Sequence, residues 1–455
     1  MFMITRIWEK IVVVLVCAGV FLSGATAVRA EVHQADPTVL ILNARIFDGM
    51  NKKLIEGKNV FIKGNKIIEI GNMDAAIGTT TIIDAKGKVL MPGLIDAHWH
   101  TMFNFWPIGK ILNSDFGFHS IAAGKEAKKT LLRGFTTVRD VGGNAFPVAK
   151  ATDAGMIDGP RMFTSGAYIS QTSGHGDFRG PNDVPSNPGA PLDYSQRVGH
   201  TLIADGVPEV IKRTREVLRM GSTQVKVMAG GGVSSLYDPL DVTQYTFEEM
   251  KAICDVAKTW NTYVAIHANT DEAIRQGVNA GVMSVEHGFF LKADTAKLMA
   301  KKGAWLCIQP LMNDEDAFVF DNPVSTAKYE NLVENLDNMI GLARKYKVKT
   351  AFGTDMLFDP ALGVKQGKFL AKLKKWYTPY EILKMATHDN AELVMMCGPR
   401  NPYPGGELGV VKEGAFADLI LVDGNPLEDI DLISDPVKNF VMIMKDGKIY
   451  KNTVN

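Results

Sequence analysis

Short apolar runs alternate with longer amphipathic ones through the middle of the chain. Eight of the apolar runs read as strands: GLIDAHWH, TTVRD, RMFTSGAYI, QVKVM, YVAIHA, SVEHG, AWLCIQP and KTAFGTD. Most are separated by stretches with helical spacing, such as HSIAAGKEAKKTLLRG, PEVIKRTREVLRMG and TFEEMKAICDVAKTWN. Strand and helix in repeated alternation predict an α/β fold, a (β/α)8 TIM barrel. Continuously apolar strands suit a parallel sheet covered by helices. An open doubly wound sheet is the alternative, but no G-x-G-x-x-G turn follows the first strand. Gly230-Gly231-Gly232 is not followed by Lys-Ser or Lys-Thr, so it is no phosphate loop, and it is expected to be flexible backbone after the fourth strand.

The two flanks have a different texture. VLILNARIFDG, NVFIKGNKIIEIG and TTTIIDAKGKVLMPG near the start, and GAFADLILVDG and KNFVMIMKDGKIYKN near the end, are short alternating runs closed by turn residues. They predict a small discontinuous β-sandwich domain built from both chain ends, residues 31–92 and 398–455, around a barrel at 93–397. The first thirty residues differ again: Arg6 and Lys10 precede the apolar run Ile11 to Leu22, and Val28-Arg29-Ala30 follows. That order reads as a secretory signal peptide, too short in its apolar part for the roughly 20 residues that span a bilayer. The expectation is a secreted or periplasmic protein with no stable membrane anchor after cleavage.

Composition narrows the class. The chain has 455 residues, 46% hydrophobic and 22% charged, with a formal net charge of zero. Nothing in that balance suggests a nucleic-acid or polybasic membrane partner. Cys254, Cys307 and Cys397 beyond the leader have no metal-knuckle spacing and are too few for a disulfide framework, so each reads as a small buried apolar residue.

The chemistry gathers at strand ends. His98 and His100 close the first run two positions apart, so both side chains point to one side of an extended chain. His267 ends the fifth run, His287 the sixth and Asp355 the eighth. The C-terminal ends of barrel strands converge on one mouth, which would make neighbours of residues far apart in sequence. Four imidazoles and a carboxylate suit borderline divalent metals, zinc first. Lys226 lies inside QVKVM. Pointing inward, it would lose its charge on burial, and a neutral amine can take up carbon dioxide as a carbamate, giving N6-carboxylysine. Pointing outward, it would keep its ammonium in water, and spacing leaves both readings open.

PGLIDAHWH, the lysine of QVKVM, the histidines of AIHAN and VEHG, Asp355 in FGTDM and the C-terminal ELGVVKEGAFADLILVDGNP together resemble the binuclear metal-dependent amidohydrolase superfamily. The likeness runs from about Val39 to about Tyr450 and is nearest to the imidazolonepropionase-related branch, which includes Xaa-Pro dipeptidases and carboxypeptidase-like peptidases and has ochratoxin-type amidases as relatives. The resemblance implies that His98, His100 and Asp355 hold one divalent metal, that His267 and His287 hold a second, and that carboxylated Lys226 bridges the two. It implies hydrolysis of an amide bond beside a free carboxylate, as in dipeptides or N-acyl amino acids, with Asp355 moving the proton. His175 in TSGHGD and Tyr237 in GGGVSSLYDP are the expected substrate-binding residues, and Arg179 is a further candidate for a carboxylate. His119, His200 and His388 fall away from strand ends and carry no expected role. The alternatives are an ochratoxin-like xenobiotic amidase, a cyclic-amide hydrolase or deaminase, and a catalytically silent scaffold. A homo-oligomer is expected from the resemblance alone.

Overall fold

The computed structural model describes residues 37–73, 81–180, 182–183, 191–235 and 237–454. The leader at 1–30, with Cys17, and His33 lie outside the described residues, as does most of 181–190 in the first long loop. Residues 37–455 form one compact unit.

At the N-terminal end, β1 (Thr38–Ile46), β2 (Ile55–Lys63), β3 (Lys66–Gly71), β4 (Thr81–Asp84) and β5 (Val89–Pro92) follow in close succession. The barrel strands are β6 (Leu94–Trp99), β7 (Phe135–Asp140), β8 (Arg161–Thr164), β9 (Tyr168–Ser170), β10 (Thr201–Ile203), β11 (Val225–Met228), β12 (Val264–Thr270), β13 (Ser284–Phe290), β14 (Trp305–Ile308) and β15 (Lys349–Phe352). The C-terminal end adds β16 (Leu419–Val422), β17 (Phe440–Lys445) and β18 (Lys448–Asn452). β5 pairs antiparallel with β16, so the two chain ends meet in one eight-stranded sheet, β18-β17-β16-β5-β1-β2-β3 with β4 on β1. Alternate residues of that sheet, such as Val39, Ile41, Leu90, Leu419, Leu421 and Met442, close a core of their own.

The middle of the chain pairs in parallel throughout. β6-β7-β8 form one hydrogen-bonded run and β10-β9-β11-β12-β13-β14-β15 the other. The seams are crossed by backbone bonds, Asp355 N–H to His98 O (2.9 Å) on one side and Thr223 N–H to Thr164 O (2.8 Å) on the other, and by side-chain bonds such as Thr354 Oγ1–H to Asp96 Oδ2 (2.7 Å). The expected third strand, RMFTSGAYI, is two strands: the backbone turns at Gly166, in the left-handed region at φ 68°, where a Cβ would overlap the Phe146 ring. β8 serves β7 while β9 serves β11. Covering helices follow their apolar spacing. Residues Phe247–Thr259 begin with a Thr246/Glu249 capping box and bury Met250, Ile253, Cys254 and Ala257, one stripe at intervals of three and four.

Two local breaks in strand alternation decide what faces the barrel interior. Asp96 pairs with Val138 but Trp99 with Asp140, three residues against two, a bulge in β6. Ile95 and Ala97 join the interior cluster with Ala265, Cys307 and Ala351, and the bulge resets the parity so that His98 and His100 also point inward. In β13 the break is at His287, a non-glycine residue held at φ 77°. Consecutive strand residues normally face opposite sides. The left-handed turn lets both Glu286 and His287 address the interior.

Candidate metal centre

The strand-end residues singled out in the sequence come together at one barrel mouth. His98 Nε2 and His100 Nε2 each lie 3.1 Å from Asp355 Oδ1, and His287 Nδ1 is 3.9 Å from Asp355 Oδ2. Ring centroids of His98 and His287 are 5.0 Å apart, those of His267 and His287 4.5 Å. Asp355 itself is held at φ 51°, a backbone cost of order 1 kcal/mol or more that tends to be kept where function needs it. Gly353, two residues earlier, packs so closely that a Cβ would overlap His98.

Each of the four imidazoles has one nitrogen committed to an acceptor. His98 Nδ1–H donates to Glu286 Oε2 (2.8 Å), His100 Nδ1–H to Gly142 O (3.2 Å), His267 Nε2–H to Gly231 O (3.1 Å) and His287 Nδ1–H to Gln309 Oε1 (2.9 Å). A neutral imidazole with one nitrogen donating offers a bare lone pair on the other. The lone pairs of His98 and His100 then face the Asp355 carboxylate, an arrangement that repels itself unless a cation sits among the three, whose ligating atoms lie within 4.8 Å of one another. The donor set fits a divalent metal ion. Burial drives the His287 imidazole down to about 3 and His267 well below the ordinary range, so both stay neutral. Burial alone would raise the Asp355 carboxyl, but the His98, His100 and His287 rings outweigh it and hold it well below the usual carboxylate range.

Lys226 is turned inward. It is 1% exposed, and among the described residues its ammonium has no hydrogen-bond or ion-pair partner. Burial pushes its amine down to about 8, opposed by the Glu286 and Asp355 carboxylates. A lysine so placed is costly as a bare ammonium and reactive as a free amine.

The residues expected from the sequence to bind substrate are less uniform. His175 stacks on His267 at 4.2 Å between centroids, and its Nδ1 meets Ser235 Oγ (2.6 Å) and the buried carboxylate of Asp238 (3.1 Å). Gly231 and Gly232 are not slack, contrary to the sequence expectation: a Cβ on the first would overlap Pro239 O and on the second the His175 ring. Lys328 pins the same loop, donating to Gly232 O, Ser235 O and Asp238 O at 2.8–2.9 Å. Tyr237, 52% exposed, contributes its carbonyl to Ser173, and Arg179 is paired with Asp177 (Nε to Oδ1, 2.8 Å). The loop at 309–322, between β14 and the helix Pro323–Tyr346, is tied down by Lys372 on Asp314 and Lys365 on Asp316, both 2.8 Å.

Sequence reasoning missed Glu286 and Arg139. Both are charges inside apolar strand runs, a costly placement without a partner, and that was the available signal. Glu286, His98 and Cys307 also gather ligating atoms, but Arg139 Nη2 already lies 2.8 Å from both Glu286 oxygens. The histidines left without a role are elsewhere: His119 and His200 are buried together, 5.5 Å between centroids, among Phe103, Phe105, Trp106 and Phe116, and His388 pairs with Asp389.

The sequence profile of the amidohydrolase family matches residues 89–451. The ochratoxinase of Aspergillus niger is 33% identical over 378 residues, covering 80% of this chain and 76% of that protein. A prolidase solved in complex with N-methylphosphonate-L-proline superposes with a TM-score of 0.83 at 33% identity, over 91% of this chain and 100% of that one. A Xaa-Pro dipeptidase with bound methionine in its active site gives 0.79 at 26% identity, over 91% and 100%.

Proposed function

This chain belongs to the amidohydrolase family, and from that premise we propose that it cleaves the amide bond of a small substrate carrying a free carboxylate beside it, a dipeptide or an N-acyl amino acid. The family and the prolidase and ochratoxinase relatives make it a metal-binding hydrolase of carbon–nitrogen bonds with a (β/α)8 barrel and a smaller β-rich part. The finer reading is supported by one observation above all: four imidazoles with committed second nitrogens, a carboxylate and a buried unpartnered lysine converge on one mouth.

In this reading His98, His100 and Asp355 hold one divalent ion and His267 and His287 a second. Lys226, once carboxylated by carbon dioxide, would supply a further anionic ligand to them, with zinc the preferred metal. Divalent ions in such a site lower the pKa of water and polarise a carbonyl. The Asp355 carboxylate, already ionised, takes the proton of the attacking water and delivers it to the leaving nitrogen. His175, held from behind by Asp238, presents Nε2 toward the substrate, and with Tyr237 it receives the terminal carboxylate. The phosphonate ligand of the prolidase relative, an amino acid with a free carboxylate and a phosphorus group on nitrogen, has this outline. The ochratoxinase likeness supports an acylated aromatic amino acid as a second substrate of the same type. The N-terminal thirty residues are proposed as a cleaved secretion signal, giving a secreted or periplasmic enzyme; no helix among the described residues is long and apolar enough to cross a membrane. The domain boundaries at 92/93 and 397/398 and a homo-oligomeric state belong to the same proposal.

The test is elemental analysis of the purified mature chain together with an array of dipeptides, N-acyl amino acids and their C-terminal amides. Two metals per chain, with cleavage confined to the free carboxylates, is the expected outcome. Equal cleavage of the amides would overturn the carboxylate requirement, and one metal or none with deamination of cyclic substrates would replace the reading altogether.

A further inference from the structure

Arg139 and Glu286 form an ion pair across the barrel interior, from β7 to β13. Both are fully buried. Arg139 Nη2 reaches both Glu286 oxygens at 2.8 Å, Nη1 donates to Ser284 Oγ at 3.0 Å, and Nε donates to Ala97 O, one residue before His98. Ser284 Oγ–H donates to Glu286 Oε1 at 2.6 Å, and His98 Nδ1–H to Oε2 at 2.8 Å. A carboxylate cannot donate, so the proton on the His98 ring must sit on Nδ1, and Nε2 is left bare toward His100 and Asp355. His100 and His287 are fixed by neutral carbonyl-type oxygens; the acceptor behind His98 is a charged carboxylate.

We propose that Arg139 and Glu286 are positioning residues for one metal only: together they set the His98 tautomer and ring plane and thereby retain the ion shared by His98, His100 and Asp355. This rests on the ligand assignment above. The Glu286 carboxylate strengthens His98 as a donor through the Nδ1–H bond. Arg139 fixes the Glu286 carboxylate through both of its oxygens and, through Ala97 O, holds the bulged strand that aims His98.

The experiment measures metal per chain and the half-time of metal loss to a chelator for wild type, E286Q, E286L and R139M/E286L, with thermal melts of the metal-free proteins as a check of folding. Wild type must first carry two ions; if it does not, the ligand assignment fails, and with it the role of the Arg139–Glu286 pair. Given two, E286L is expected to fall to one ion per chain, with metal loss about 10- to 100-fold faster. E286Q keeps an oxygen for His98 Nδ1–H and is expected to lie between E286L and wild type. Should E286L not fold, R139M/E286L removes both charges together and is expected to show the same selective loss. Two ions with a wild-type half-time in E286L or the double variant would overturn the proposal, as would equal loss of both ions, or E286Q behaving as E286L.

Discussion

The ring of candidate ligands and the rim above it are held in different ways. Every imidazole of the ring is fixed from behind by an oxygen on a barrel strand or its first turn: Glu286, Gly142, Gly231 and Gln309. On the rim, His175 depends on Asp238, and the Asp238 loop depends on Lys328 from the helix Pro323–Tyr346. Tyr237 stands half in solvent. A ring set into strand ends can keep one geometry for the chemical step, while a rim assembled from remote contacts can change with the substrate. On the proposed function, that difference separates the chemical step from the choice of substrate.

The largest effect expected from the ring is that of D355N. Turnover on the substrate found in the array should fall by about 10²- to 10⁴-fold with the thermal melt little changed. A loss of less than tenfold would place the proton transfer on another group.

Lys226 offers a second test of the ring. With its amine at about 8, the neutral fraction rises from about 1% at pH 6 to about half at pH 8. Metal-stripped, decarboxylated protein given zinc at a fixed concentration of dissolved carbon dioxide should recover activity about 50-fold faster at pH 8 than at pH 6, levelling off above. A recovery indifferent to carbon dioxide would remove the carbamate.

Beside the ring, where Phe103 packs against His100, lies the aromatic cluster around His200, fully buried, with neither ring nitrogen hydrogen-bonded among the described residues. Burial lowers its imidazole from 6.5 to about 3. Across that window the unfolded chain binds a proton that the folded one does not. Stability is therefore complete above about pH 6.5 and is lost on acidification, by about 2 kcal/mol from this group at pH 5. His200→Phe should flatten that part of the slope in denaturant titrations at pH 7 and pH 5. An unchanged slope would assign the acid sensitivity to other groups.

The smallest expected effect belongs to the rim. K328M leaves three carbonyls without their donor, and the loosened loop should raise KM about fivefold with metal per chain at the wild-type value. If metal is lost as well, ring and rim are not independent and the contrast fails.

Much of this was legible from the chain. Apolar runs marked the barrel strands, and imidazoles and a carboxylate at their ends marked the ring, because a strand's end and a barrel's mouth are the same place. The likeness to amidohydrolases drawn from those motifs is borne out by the family match and the prolidase structure. The division of RMFTSGAYI into β8 and β9, the close packing of Gly232 against His175 and the role of Lys328 were not legible, since each depends on a neighbour tens of residues away.

By itself, then, the sequence determined the order of elements, the family and the residue types available for metal chemistry, because these follow from periodicity and local composition. Which side chains share the interior was decided only in three dimensions. Alternation alone would set Glu286 opposite His287 and take no account of a bulge before His98. The left-handed backbone at His287 and the bulge in β6 reverse those facings. Both are stabilised by packing and hydrogen bonds around the whole barrel, among them those of Arg139, a residue whose partner lies 147 positions away.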